Sequence, residues 1–387
     1  MNKGKVALTK DIISRIRSEG ADYFVFVDEE RAVNRVMDGA SGFHFCVDDN
    51  IMTSCLSGAG SKMLTGFIPP YCATVVERLE AGGNIMLGKT GVPEFGIGIS
   101  QGTAYSGPKA IAAGFCRICL SSESFGQMGK AASDAGVYFI KPAYGTVSRF
   151  GLVAYASSME QIGVVADSVE MAFEGLRFIA GYDYRDGATH PIEKYEYEDR
   201  GDEIEGVKIA ILEDFGSIEK SVLDRYLKDG ATCEPVSFPL HNVVDSVAYV
   251  IGSAEGSHNL SRFDGVRFGF RSSDYKGVDD LYVNTRTEGF EMETKINILM
   301  GAFVLTGENY DRYFVKAMKL RRRIKDQISS MLESYDCILI PSGTPLANLT
   351  GEPALSMPGG LQLITKTFNE SILFSLGKRF NKGGEHR

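Results

Sequence analysis

Ser121, Ser122, Glu123 and Ser124 crowd three hydroxyls and a carboxylate into four consecutive positions, and Lys130 and Lys141 follow shortly after. A serine hydroxyl attacks a carbonyl only when a neighbouring base takes its proton, and a lysine kept neutral by burial can be that base. Ser122 or Ser124 with Lys130 or Lys141 is therefore one candidate hydrolytic set. The other reading of the same residues is structural: serines at a strand end cap turns by bonding nearby backbone. Lys89, closing the apolar run at 84–90, is a further candidate base, against its ordinary role as a strand-end lysine reaching solvent. Cys116 and Cys119 form a Cys-x-x-Cys pair, but neither a second cysteine pair nor a spaced histidine pair lies nearby, so no metal site is expected.

These groups need a scaffold, and the chain supplies one in alternating pieces. Residues 9–18 place Ile12, Ile13 and Ile16 on one helical face, 22–28 read as a buried strand, 29–37 as a helix and 42–47 as a strand. Thr74 and Glu77 stand at capping-box spacing and open a helix that ends near Gly82 and Gly83; Asp167 and Glu170 repeat that spacing. Between these helices, 84–90 form a strand and 93–96 a turn, and residues 207–212 and 336–341 are later strands. A helix over 311–334 carries Phe314, Met318, Ile324, Ile328 and Met331 along one stripe. Lys316, Lys319, Arg321, Arg322, Arg323 and Lys325 fill its other face, read as solvated, with contact to RNA or an acidic partner as the alternative. The alternation predicts an α/β fold with a mixed β-sheet core flanked by helices on both faces. No linker breaks it, so residues 1–387 are expected to form a single domain, with a short helical region at 1–40.

Composition bounds the rest. With 44% apolar and 24% charged residues the chain is an ordinary globular protein rather than a disordered one. A formal charge of -9 argues against broad nucleic-acid binding, so DNA is not an expected partner and any RNA contact must be local or indirect. Seven scattered cysteines fit reduced core thiols, and no apolar run approaches the ~18 residues of a membrane span. A cytoplasmic location without membrane contact is expected.

The run Lys141-Pro142-Ala143-Tyr144-Gly145-Thr146-Val147-Ser148-Arg149-Phe150-Gly151, closed by Ala156-Ser157-Ser158, resembles the amidase signature family. That family carries Lys-Pro-Thr-Tyr-Gly-Arg-Val-Ser-Arg-Tyr-Gly before an Ala-Ser-Ser turn. The resemblance implies the amidase signature fold and a nucleophilic serine in a Gly-Gly-Ser-Ile-Arg segment upstream. Counting back from Lys141 puts that serine at Gln127, whose amide cannot attack a carbonyl. The family's lysine base falls on Asp48, in Val47-Asp48-Asp49-Asn50. Its glycine- and serine-rich loop, with a bridging serine, is missing between Ala104 and Ser122.

Further runs are similar to the A subunits of tRNA-dependent amidotransferases: Ser257-His258-Asn259-Leu260-Ser261-Arg262-Phe263-Asp264-Gly265-Val266-Arg267, Thr285-Arg286-Thr287-Glu288-Gly289 and Tyr310-Asp311-Arg312-Tyr313-Phe314. In that branch an arginine holds the glutamine carboxylate, and Asn297 stands at its position; the segment with a second substrate anchor is cut out after Pro345. The resemblance implies B and C subunits as partners, tRNA contacted through the complex, and no cofactor. It also implies an A-type subunit with no catalytic residue of its own, the alternative being an active amidase with Ser122 or Ser124 as a relocated nucleophile.

Overall fold

The computed structural model describes residues 3–97, 105–198, 201 and 203–381. Ala104, where the shortened loop was expected to begin, lies outside the described residues, as does part of the acidic stretch near 200.

The strands are β1 (Phe24–Val27), β2 (His44–Asp48), β3 (Ile85–Thr90), β4 (Ile118–Glu123), β5 (Tyr138–Lys141), β6 (Gln161–Ala166), β7 (Lys208–Ile211), β8 (Thr232–Pro235), β9 (Cys337–Pro341), β10 (Ala354–Met357) and β11 (Leu361–Thr365). They form one sheet in the order β1-β3-β2-β4-β6-β5-β10-β11-β9-β7-β8. β2 runs parallel to β3 and β4, whereas β4, β6, β5, β10, β11 and β9 alternate antiparallel, so the sheet is mixed. The inner strands are buried on both faces, which is why they read as continuous apolar runs rather than strict alternation.

The helices are α1 (Lys3–Glu19), α2 (Glu29–Met37), α3 (Thr74–Ala81), α4 (Gly107–Ala112), α5 (Gln127–Asp134), α6 (Val169–Ile179), α7 (Lys220–Lys228), α8 (Val244–Asn259), α9 (Val278–Gly289), α10 (Met292–Val304), α11 (Gly307–Asn309), α12 (Lys316–Met331), α13 (Leu346–Thr350) and α14 (Glu370–Asn381). Successive strand residues point to opposite faces. Phe45, Val47, Ile118 and Leu120 pack with α3, α6 and α14, while Cys46, Cys119, Phe139 and Val165 pack with α1, α2, α4 and α5. The far end of the sheet, Ala210, Ile338 and Ile340, is covered by α8 and α12. Both faces of the sheet are thus clad in helices.

Several local expectations needed correction. α1 begins well before residue 9 and buries Ile13 and Ile16, with Ile12 only half-buried. β1 is an edge strand with Val25 exposed, not a buried one. Thr74 does not cap α3; Ala73 holds that position, and the Thr74 hydroxyl bonds the Asp183 carboxylate, while Arg185 bridges Thr74 and Glu77. The cap of α6 is Ser168, whose hydroxyl accepts from the Met171 amide, one residue later than expected. The helix expected at 311–334 opens with a π-helical stretch, Tyr310–Val315; of the expected stripe Ile324 and Ile328 are buried and Met331 packs on the core, while Met318 is exposed and Ala317 is buried in its place. No described helix is long and apolar enough to cross a membrane.

Candidate functional site

The parallel pairing of β2 with β3 and β4 gathers the residues singled out above at one end of the sheet. Asp48 lies opposite Thr90, and the register of Val47 with Leu120 brings it level with Ser121. Its Oδ1 accepts from the Thr90 hydroxyl at 3.0 Å and from the Cys119 thiol at 3.7 Å, while Oδ2 has no hydrogen-bond partner among the described residues. Gly107 leaves room for this packing, since a Cβ there would stand 3.1 Å from Asp48 Oδ1 and 2.8 Å from Cys119 Sγ. Burial pushes the Asp48 carboxyl up to about 7, an effect that the hydrogen bonds from Thr90 and Cys119 moderate. At neutral pH, then, this group divides between acid and carboxylate, and no lysine touches it among the described residues.

Ser122 points the other way. Its hydroxyl oxygen accepts from Asn50 Nδ2 at 2.7 Å, and Gly96 packs against the same pair. Ser124 is nearly buried. Neither candidate base reaches these serines. Lys130 is exposed and pairs with Asp134 one helical turn away at 2.7 Å. Lys141 is fully buried, and its Nζ donates to Gln161 Oε1 at 2.8 Å, Glu352 O at 2.7 Å and Pro142 O at 3.1 Å. Burial lowers the Lys141 ammonium to about 7, opposed by the fields of Glu123, Glu352 and Glu370. Lys141 ties strand ends together; it does not activate a hydroxyl.

Gln127 is the first residue of α5, following Gly126 at φ 82°, where a Cβ would run into Thr344 O at 2.4 Å. A helix N-terminus at such a turn presents free amides suited to an anion. Here the chain supplies the anion itself. Glu123 Oε1 accepts from the amides of Phe125 (2.9 Å) and Gly126 (2.7 Å), and Oε2 from Gly129 (2.9 Å). Burial raises the Glu123 carboxyl, and these amide contacts oppose that rise. Gln127 itself borders a cavity of about 410 Å³ formed with Phe125, Tyr249, Gly343 and Pro345. Asn297 does not line it. It lies in the contact between α8 and α10, donating from Nδ2 to Ser253 Oγ at 3.1 Å.

Lys89 overturns its expected role as a solvent-reaching residue. It is 0% exposed, its Nζ lies 3.4 Å from Asp49 Oδ1 and 3.2 Å from Asp49 O, and it donates to Ser57 Oγ. Asp49 completes the cluster by accepting from the amides of Gly58 and Gly60. This is a Ser–Lys contact in form, but Ser57 is buried and its amide is tied to Phe67 O, so no substrate reaches it. Burial costs a lysine dearly unless a carboxylate offsets it, and the order Asp49, Ser57, Lys89 conceals that pairing because the partners come from separate segments. Asn50 and the capping role of Glu123 were also missed; a carboxylate shortly before Gly126 and the start of α5 is the signal that points to Glu123. Cys116 and Cys119 are free buried thiols, and no described cluster of His, Cys, Asp and Glu could hold a metal.

Residues 27–110 and 106–363 match the Amidase family. The A subunit of the glutamyl-tRNA(Gln) amidotransferase of Sulfolobus acidocaldarius is 33% identical over 447 residues, covering 97% of this chain and 94% of its own length. That of Streptococcus thermophilus is 34% identical over 437 residues, covering 95% and 90%. The solved structure of the A subunit of the glutamyl-tRNA(Gln) amidotransferase from Thermotoga maritima superposes with a TM-score of 0.76 at 26% identity, over 99% of this chain and 92% of that one. The sheet, the helices that clad it and these likenesses agree: the chain belongs to the amidase signature family, and resembles its amidotransferase A subunits along nearly its whole length.

Proposed function

We propose that the chain is the A-type subunit of a tRNA-dependent amidotransferase, serving Glu-tRNA or Asp-tRNA, and that within the complex it holds the B and C subunits without hydrolysing glutamine itself. The observation that carries this reading is the state of the α5 N-terminus. An amide, Gln127, stands where the resemblance puts the nucleophile, and the Glu123 carboxyl already accepts from the amides of Phe125, Gly126 and Gly129 around that turn. Asp48 in place of the family's lysine supports it, because a carboxylate carries no positive charge with which to lower the pKa of a hydroxyl. A catalytic unit that lacks its nucleophile and its base retains little of its power. Ammonia then comes from solution or from another amidase.

The test is amidation of Glu-tRNA and Asp-tRNA by this chain together with its B and C subunits, with glutamine or ammonium chloride as nitrogen donor. Product with ammonium alone is the expected result; product with glutamine sinks the silent-subunit reading. A second reading, an active amidase using Ser122 or Ser124, is favoured only by the hydrogen bond that orients Ser122 toward Asn50. Covalent labelling of either serine by a fluorophosphonate probe is the outcome it requires.

A further inference from the structure

α10 turns its small and polar residues inward and its large apolar ones to water. Its inner side carries Thr294, Asn297, Gly301 and Val304, all buried where the helix crosses α8. Gly301 is needed there, since a Cβ would come within 2.0 Å of Ser253 O. The outer side carries Met292, Ile296, Leu299 and Phe303, spaced four, three and four residues apart, at 68%, 53%, 70% and 48% exposure. A surface helix normally buries its large apolar side chains and shows polar ones. Here the small and polar residues are inside and the large apolar ones outside. A continuous apolar stripe on a helix roughly 20 Å long is the mark of an interaction surface rather than of scattered surface residues.

The surroundings specify the partner's chemistry. Phe303 packs on Tyr313 with ring centroids 5.6 Å apart, and the Arg312 guanidinium lies 5.4 Å over the Tyr313 ring. From Arg312 the exposed cations Lys316, Lys319, Arg322 and Arg323 continue along α12, with Arg322 paired to Asp326. A band of positive charge on a chain of net charge -9 is a local departure that calls for acid opposite it. Just past the stripe, Leu305 and Phe314 border an open groove of about 530 Å³ with Ala254 and His258, wide enough to seat one anchoring side chain. RNA would satisfy the cations but leave Ile296 and Leu299 in water. A helix with an apolar stripe flanked by Asp and Glu satisfies both features.

We infer that the outer face of α10, with the basic band along α12, is the docking surface for an acidic amphipathic helix of a partner subunit. This rests on the amidotransferase reading, which requires such partners. The decisive experiment compares the wild-type chain with the Ile296→Glu/Leu299→Glu double variant, the Lys319→Glu/Arg323→Glu double variant and the control Leu8→Glu, an exposed residue of α1. Each is co-purified with the cognate B and C subunits and examined by light scattering and titration calorimetry. The substituted side chains are exposed or at least half-exposed, so melting temperatures should match the wild type.

The expected result is at least 100-fold weaker assembly for the α10 variant, about tenfold weaker and more salt-sensitive assembly for the α12 variant, and no change for Leu8→Glu. Wild-type assembly by the α10 variant overturns the surface assignment while leaving the proposed function intact. Failure of the wild-type chain to assemble overturns the proposed function and this partner with it. A wild-type homodimer that Ile296→Glu/Leu299→Glu converts to monomer shows that a second copy occupies the face instead. Transfer RNA binding lost only in the α12 variant, with α10 irrelevant to assembly, overturns the helix in favour of nucleic acid.

Discussion

Asp48 and Asp49 leave the end of β2 on opposite sides of the sheet and find different company. Asp49 meets the Lys89 ammonium at 3.4 Å and the amides of Gly58 and Gly60 at 3.1 to 3.2 Å. Asp48 meets a hydroxyl and a thiol on one oxygen and no described partner on the other, and burial pushes its carboxyl up to about 7. Both are buried acids, yet one is neutralised by a built site and the other is only tolerated. The difference separates scaffold from chemistry. The Asp49 cluster pins the loop at 57–60 to the ends of β2 and β3. Asp48 stands at the position the resemblance gives to a catalytic lysine, where the surrounding groups hold it without completing it.

The largest effect that can break this contrast is removal of the Lys89 charge. Lys89→Met leaves the buried Asp49 carboxyl without its cation, and unfolding monitored by circular dichroism should show a loss of about 3–5 kcal/mol. A loss under about 1 kcal/mol means that Asp49 is held by the two amides alone and that the two acids are less different than their contacts indicate.

Asp48→Asn should act in the opposite sense and depend on pH. The folded state holds the Asp48 proton up to about pH 7, whereas the unfolded chain releases it near 3.8. Stability contributed by that proton is therefore complete below pH 4 and is lost as pH rises through 7. The asparagine variant, which cannot ionise, should match wild type near pH 4 and exceed it at pH 8 by on the order of 3 kcal/mol. Subtracting the two melting profiles isolates Asp48 from Glu160, also raised to about 7, and from Lys141, whose cost is present below about 7 and eases as pH rises. A flat difference profile contradicts the assignment.

Gln127→Ser has the smallest expected effect. It restores a hydroxyl at the half-buried first turn of α5, so stability should change by no more than about 0.5 kcal/mol. With Asp48 unchanged and Glu123 still on the amides, no fluorophosphonate labelling or glutamine hydrolysis should appear. Either one points to a base that the described contacts do not contain.

Much of this was legible before any coordinates. Alternating apolar runs identify β2, β3 and β9, because inner strands must be apolar on both faces, and helical spacing finds α3, α6 and α12 between them, but not α8, α9 or α10. The segment from Lys141 to Gly151 points to the family; counting back from it finds Gln127, and the Val47-Asp48-Asp49-Asn50 strand end finds Asp48. The misplaced caps at Thr74 and Asp167 show the limit of local spacing: Thr74 spends its hydroxyl on Asp183, far away in sequence, and the cap falls to a neighbour. Of the stripe expected on α12, Ile324 and Ile328 are buried and Met331 packs on the core, whereas Met318, nearer the π-helical stretch at Tyr310–Val315, is exposed.

By itself, then, the chain determined its α/β architecture and its family, and the resemblance set Gln127 and Asp48 at the family's chemical positions, since these follow from residue type and short-range order. Tertiary structure alone decided that Lys89 is buried and paired, that Lys141 is spent on Gln161 and two backbone carbonyls, and that α10 turns its larger apolar side chains to solvent. Periodicity states which residues share a face; it does not state which face meets protein. That is settled only when segments distant in sequence arrive with, or without, the partners each group requires.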